Sequence, residues 1–167
     1  MYKIAILAFL GLIVGLVVKK YTKEEFIQGR KYFVFLYKFF LLALLISSLF
    51  YGWYAGIFQP VLAFVAGMIV YMGISNLYLY LGGLFILSFW QRENFFNVVA
   101  VLTFVIGILR GFFVKKNVMN KIIISAIFFA LPFLLIYVKE SVLEMKYLLF
   151  AFISGAIFAE FLKKVDL

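Results

Sequence analysis

Cysteine and histidine are both missing from this 167-residue chain. Their absence excludes disulfides, thiol nucleophiles, histidine-ligated haem and the usual zinc ligand sets. Asp166 is the only aspartate, so the paired-Asp magnesium sites of phosphoryl and prenyl transfer are excluded too. The familiar acyl-transfer nucleophile sets need a Cys or a His, and no serine inside an apolar run has a lysine at its own depth. The sequence therefore points away from an enzyme, a metal site and a bound cofactor. Charge is scarce as well, since Asp, Glu, Lys and Arg make up 14% of the residues.

Apolar surface fills the space these residues leave. The chain is 68% hydrophobic with 23 Phe and 11 Tyr, and its mean hydropathy is +1.17. Water-soluble domains are nearer half apolar, so the solvent that fits this chain is the lipid bilayer. The expected fold class is all-α: a polytopic helix bundle forming one transmembrane domain over residues 1–167. The net charge of +9 comes from 16 basic and 7 acidic residues, and the basic ones lie in short stretches between apolar runs. That pattern follows the positive-inside rule. It offers no continuous basic face for tracking phosphates, so no nucleic-acid partner is expected. Anionic lipid headgroups at the cytoplasmic face are the expected partners of the basic loops.

Charges cut the chain into runs at Tyr2–Val18, Phe33 to about Ile57, Gln59–Trp90, Phe95–Val114, Ile122–Val138 and Tyr147–Leu162. The first begins like a signal peptide, with Lys3 before an apolar core. The core is longer than the usual ~7–15 residues, and Val-Val-Lys-Lys follows it in place of a small-x-small cleavage pattern. An uncleaved first helix is the expectation, followed by KKYTKEEFIQGRKY as a polar loop. The run Gln59–Trp90 would be about 48 Å long as one helix, far beyond a ~30 Å hydrocarbon core. Within it, Gly73, Ser75 and Asn76 mark a turn, giving two short helices at about 60–74 and 77–92. A re-entrant hairpin or one tilted helix are the alternatives; one helix over 59–90 would make six spans. Seven spans put ten Lys and Arg on one side and four on the other, whereas six spans give eight and six. The charge bias therefore selects seven, with the N-terminus outside the plasma membrane and the C-terminus in the cytoplasm.

Two echoes run through the chain. GLIVGLVVKK at 11–20 matches GILRGFFVKK at 107–116, and AFVAGMI at 63–69 matches AFISGAI at 151–157. Helices one and three then correspond to five and seven, in a three-plus-one-plus-three plan with halves 1–76 and 95–167 and a connector helix at 77–92. This plan resembles that of sugar and vitamin carriers in architecture alone. The Pro-Gln pair that some of them carry is absent, and Gln59-Pro60 stands in the reverse order. Chance alignment of Gly-rich apolar helices is the competing explanation, and the second and sixth helices share only apolarity. The small residues Gly11, Gly15, Gly107, Gly111 and Gly155 also serve plain helix packing, because they let backbones approach closely.

Ionisable groups inside a span are the strongest functional pointers. Lys38, Arg110 and Glu160 each lie about one turn from a cytoplasmic end. Lys38 and Arg110 are long enough to snorkel to the headgroups. Glu160 is not, and Arg110 is its expected partner. No charge falls near the bilayer centre, so tight ion coupling is not expected. The candidate polar lining of a cavity is Ser47, Ser48, Asn76, Asn97, Thr103 and Ser125. Tyr71, Tyr78 and Tyr80 join it unless they take the interfacial positions usual for tyrosine, as Tyr51, Trp53 and Tyr54 are expected to. Pro132 is expected to kink the sixth helix. Two functions of different class fit these features. One is a carrier or pore for a small neutral or zwitterionic solute, with a cavity lined by Ser, Asn and Tyr. The other is a non-catalytic subunit of a homo-oligomer or larger membrane complex, with no cavity and one broad small-residue face.

Overall fold

The computed structural model describes residues 2–52, 58–91, 93–114 and 117–164, and all but a few of them are helical. No strand occurs among the described residues. Helix α1 spans Tyr2–Tyr21 and α2 spans Lys23–Gly52, joined only by Thr22. The stretch expected as a loop is therefore helical. Its Lys, Glu, Gln and Arg residues are good helix formers, and Glu24 and Glu25 lie in the first turn of α2, where the helix dipole favours acids. With 30 residues, α2 is roughly 45 Å long, so its charged first turns extend past any apolar slab. Charge marks where this helix leaves the bilayer, not where it ends.

The long apolar run breaks where its length demands. Helix α3 covers Phe58–Gly73 and α4 covers Leu77–Gln91. The Asn76 side-chain oxygen accepts a hydrogen bond from the Tyr78 N–H at 3.1 Å, capping α4. Helix α5 spans Glu93–Phe113. Helix α6 covers Val118–Ala130, followed by 3-10 turns at Leu131–Val138 and by α7 at Lys139–Glu144, and α8 spans Lys146–Leu162. Pro132 stands in the first turn of the 3-10 stretch, where its missing N–H ends α-helical hydrogen bonding. The kink expected there is thus a change of helix type. Four helical stretches are long and apolar enough to cross a membrane: Lys3–Tyr21, Gln28–Phe50, Glu93–Phe113 and Val118–Glu144. Helices α3, α4 and α8 are shorter, at 16, 15 and 17 residues. Trp53 and Tyr54, expected at the interface, lie outside the described residues, as do Lys115 and Lys116 of the second lysine pair.

Helix α4, expected as a connector, is buried from Leu77 to Ser88 except at Leu79, and packs against α5, α6 and α8. Around it, the most extensive contacts join α1 to α5 and α3 to α8. These are the two pairs whose sequences echo each other. A β-carbon at Gly11 would overlap the Phe104 carbonyl oxygen, and one at Gly15 would overlap that of Ile108. From the other side, Gly107 lies against Gly11 and Leu12, and Gly111 against Gly15. The second echo repeats the geometry: Gly67 meets the Phe152 carbonyl, and Gly155 meets the Phe64 carbonyl. In both pairs the helices run in parallel, and each of these glycines except Gly107 faces the carbonyl three residues before its counterpart. Only a glycine hydrogen fits there, in position for a weak Cα–H···O contact. Lys19 fixes the shared end of the first pair, donating from Nζ to the Val114 carbonyl at 2.5 Å.

Large apolar side chains remain exposed on α1 (Ile6, Leu7), α3 (Leu62, Ile69) and α6 (Ile123, Ile127), a surface suited to lipid. Membrane crossing by the Val118–Glu144 stretch has a direct check in this Cys-free chain. Single cysteines at Val118 and Glu140, near its two ends, should react with an impermeant thiol reagent from opposite sides of a vesicle. Labelling of both from one side would show that the stretch does not span.

Candidate functional site

Side chains from five helices converge near the lysine-rich end of the bundle. Arg110 lies in the last turn of α5, and Glu160 lies one turn before Lys163 on α8. The two form an ion pair through Nη1 and Oε1, the partnership expected from the sequence. Two phenols that the sequence did not connect to it complete the cluster. Tyr37 of α2 donates its hydroxyl to Glu160 Oε1 at 2.6 Å, and Tyr71 of α3 donates to Oε2. Arg110 Nη1 also donates to the Tyr37 oxygen at 2.9 Å. The guanidinium carbon stands 5.8 Å from the centroid of the Tyr78 ring on α4, a cation–π contact. Both carboxylate oxygens are thus satisfied within the protein, and the Glu160 side chain is only 8% exposed against 24% for Arg110. A buried charge is tolerable only when paired and hydrogen-bonded in this way.

Above the cluster opens a cavity of about 390 Å3. Tyr37, Tyr78, Arg110 and Glu160 form part of its wall, with Ser75 and Asn76 from the α3–α4 turn and Ser125 from α6. Lys121, Lys163 and Lys164 line it as well, and all three are exposed. The mouth therefore gathers the α3–α4 turn, the start of α6 and the end of α8, segments that the seven-span arrangement puts on one side.

Of the six serine, threonine and asparagine residues expected to line a cavity, only Asn76 and Ser125 do so, joined by Tyr78 of the three candidate tyrosines. Ser47 bonds back to the Ala43 carbonyl of its own helix at 2.8 Å, as membrane serines often do. Ser48 is fully buried and meets Ser154 of α8 at 2.7 Å, so it clamps α2 to α8. Thr103 is buried in α5, its hydroxyl without a partner among the described residues. Asn97 is exposed on α5. Lys38 lies over the Phe161 ring at 5.5 Å, and Tyr80 packs its ring 5.4 Å from that of Tyr71. Charged groups belong to the wall as well: Arg110, Glu160 and three lysines. Among the described residues there is no cluster of Cys, His, Asp or Glu that would hold a metal ion.

Comparison with protein-family models, with curated proteins and with solved structures finds no match to this chain.

Proposed function

We propose that the protein is a small carrier that admits a small solute from its lysine-rich end and passes it across the bilayer. The observation that supports this reading is the cavity of about 390 Å3, whose wall offers phenol, hydroxyl and amide groups beside the Arg110–Glu160 pair. The subunit reading, by contrast, expects no cavity. A pocket of this size suits a small ligand, and carriers hold their solutes in cavities built where several helices meet. A wall that mixes lysines, hydroxyls and an amide with apolar groups suits a small polar solute, zwitterionic or neutral. By the positive-inside bias, the reading puts the lysine-rich end in the cytoplasm and the N-terminus outside, in the plasma membrane.

Reconstitution tests it. Liposomes containing the purified protein should collapse an osmotic gradient of a small zwitterionic solute several-fold faster than empty liposomes. If a broad panel of zwitterionic and neutral solutes gives no such leak, and the protein is recovered from native membranes only with another protein, the carrier reading fails and the subunit reading replaces it.

A further inference from the structure

We infer that the cavity binds an amphiphile carrying one anionic group, with its head among the lysines and its apolar part in the seam between α1 and α6. The inference rests on the carrier reading and goes beyond it by naming a second class of ligand, anionic and amphiphilic, for the same cavity. Among the described residues, four cationic side chains line the cavity, Arg110, Lys121, Lys163 and Lys164, against the single carboxylate of Glu160. Glu160 is already engaged by Arg110 and two phenols. The lysines therefore leave a surplus of positive charge at the mouth, which attracts and holds an anion.

A second observation points to a ligand. Tyr78, a residue of the cavity wall, is 2% exposed, and its buried hydroxyl has no hydrogen-bond partner among the described residues. A buried hydroxyl left unpaired is costly, and a polar ligand atom in the cavity would satisfy it. The remaining wall is apolar: Leu12 and Leu16 of α1, Phe113 of α5, Val118 and Ile122 of α6. Helices α1 and α6 touch only sparsely, so this wall is a seam between two helices whose outer faces meet lipid. A bare inorganic anion would leave the seam unfilled, and a plain hydrocarbon would leave the lysines and Tyr78 unanswered. A phosphate or carboxylate head on a short apolar body matches both halves. Such a molecule comes either from the bilayer, as an anionic lipid, or from solution.

The test uses Ser125→Cys, which creates the only thiol in the chain, in nanodiscs of phosphatidylcholine. Reaction with an uncharged maleimide is followed with and without hexyl phosphate. Hexyl phosphate should slow labelling about fivefold at a concentration of about four times Kd, while inorganic phosphate and hexyltrimethylammonium leave the rate unchanged. Lys121→Gln combined with Lys163→Gln, both at exposed positions, should remove most of the protection. If phosphatidylglycerol in the disc slows labelling by itself, the bilayer is the source of the ligand; if only hexyl phosphate does, the source is soluble. Absence of protection by any anionic amphiphile, or equal protection by inorganic phosphate, overturns the inference. Protection without solute flux in liposomes would defeat the carrier reading while retaining this site, and flux without protection would do the reverse.

Discussion

Glu160→Ala should destabilise the purified protein by about 3 kcal/mol, within the range seen when one partner of a buried ion pair is removed. The substitution strands the Arg110 guanidinium and takes the acceptor from both Tyr37 and Tyr71. Arg110→Ala should cost less. Glu160 would keep its two phenol donors, and Arg110 is the more exposed member of the pair. The double replacement should lose clearly less than the sum of the two, because it leaves no unpaired charge, and that difference is the coupling between the residues. Thermal melting in detergent across the four proteins measures it. Strictly additive losses would mean that the two side chains do not depend on each other.

Gly155→Ala and Gly67→Ala should each lower stability by about 1–3 kcal/mol, the cost of overpacking. Each new methyl would overlap a backbone carbonyl of the facing helix, and a carbonyl within a helix cannot turn aside as a flexible side chain can. The helices must instead move apart, and the contact between α3 and α8 is lost along its length. Combined, the two substitutions should cost less than their sum, because the first separation relieves part of the second clash. Gly73→Ala is the control: a β-carbon there meets nothing within 4 Å. If Gly155→Ala melts at the same temperature as Gly73→Ala, the close approach of α3 and α8 is refuted.

The features that the sequence revealed are those in which one physical constraint dominates. A run of 32 uncharged residues cannot cross a ~30 Å core as one straight helix, and the break came at Gly73–Asn76. A carboxylate in a span needs a partner, and so few charges lie inside spans that Arg110 could be named. What stayed hidden depended on which way uniform helices face. Helices that are apolar all round carry no stripe to show which side is inward, so Ser48 and Thr103 were assigned to a cavity while both are packed in the core. Tyr37 lies 123 positions from Glu160, and tyrosine in a membrane chain has an equally good use at the interface. KEEF at 23–26 was read as loop because it is charged, although every residue in it tolerates a helix. The echoes were visible as likeness. The two members of each echo face each other, and a close parallel crossing requires small residues at the same level on both helices.

The central claim is that the cavity above the Arg110–Glu160 cluster is the path of the solute, and blocking that path tests it most directly. Ser125 lines the cavity from α6, while Asn97 is exposed on α5 outside it, so single cysteines at these positions compare a plugged path with a decorated surface. Both variants are reconstituted, labelled to completion with a bulky maleimide, and assayed for collapse of a zwitterionic osmotic gradient. Labelling at position 125 should abolish the flux, and labelling at 97 should leave it unchanged. Flux that persists unaltered after full labelling at 125 would contradict the account.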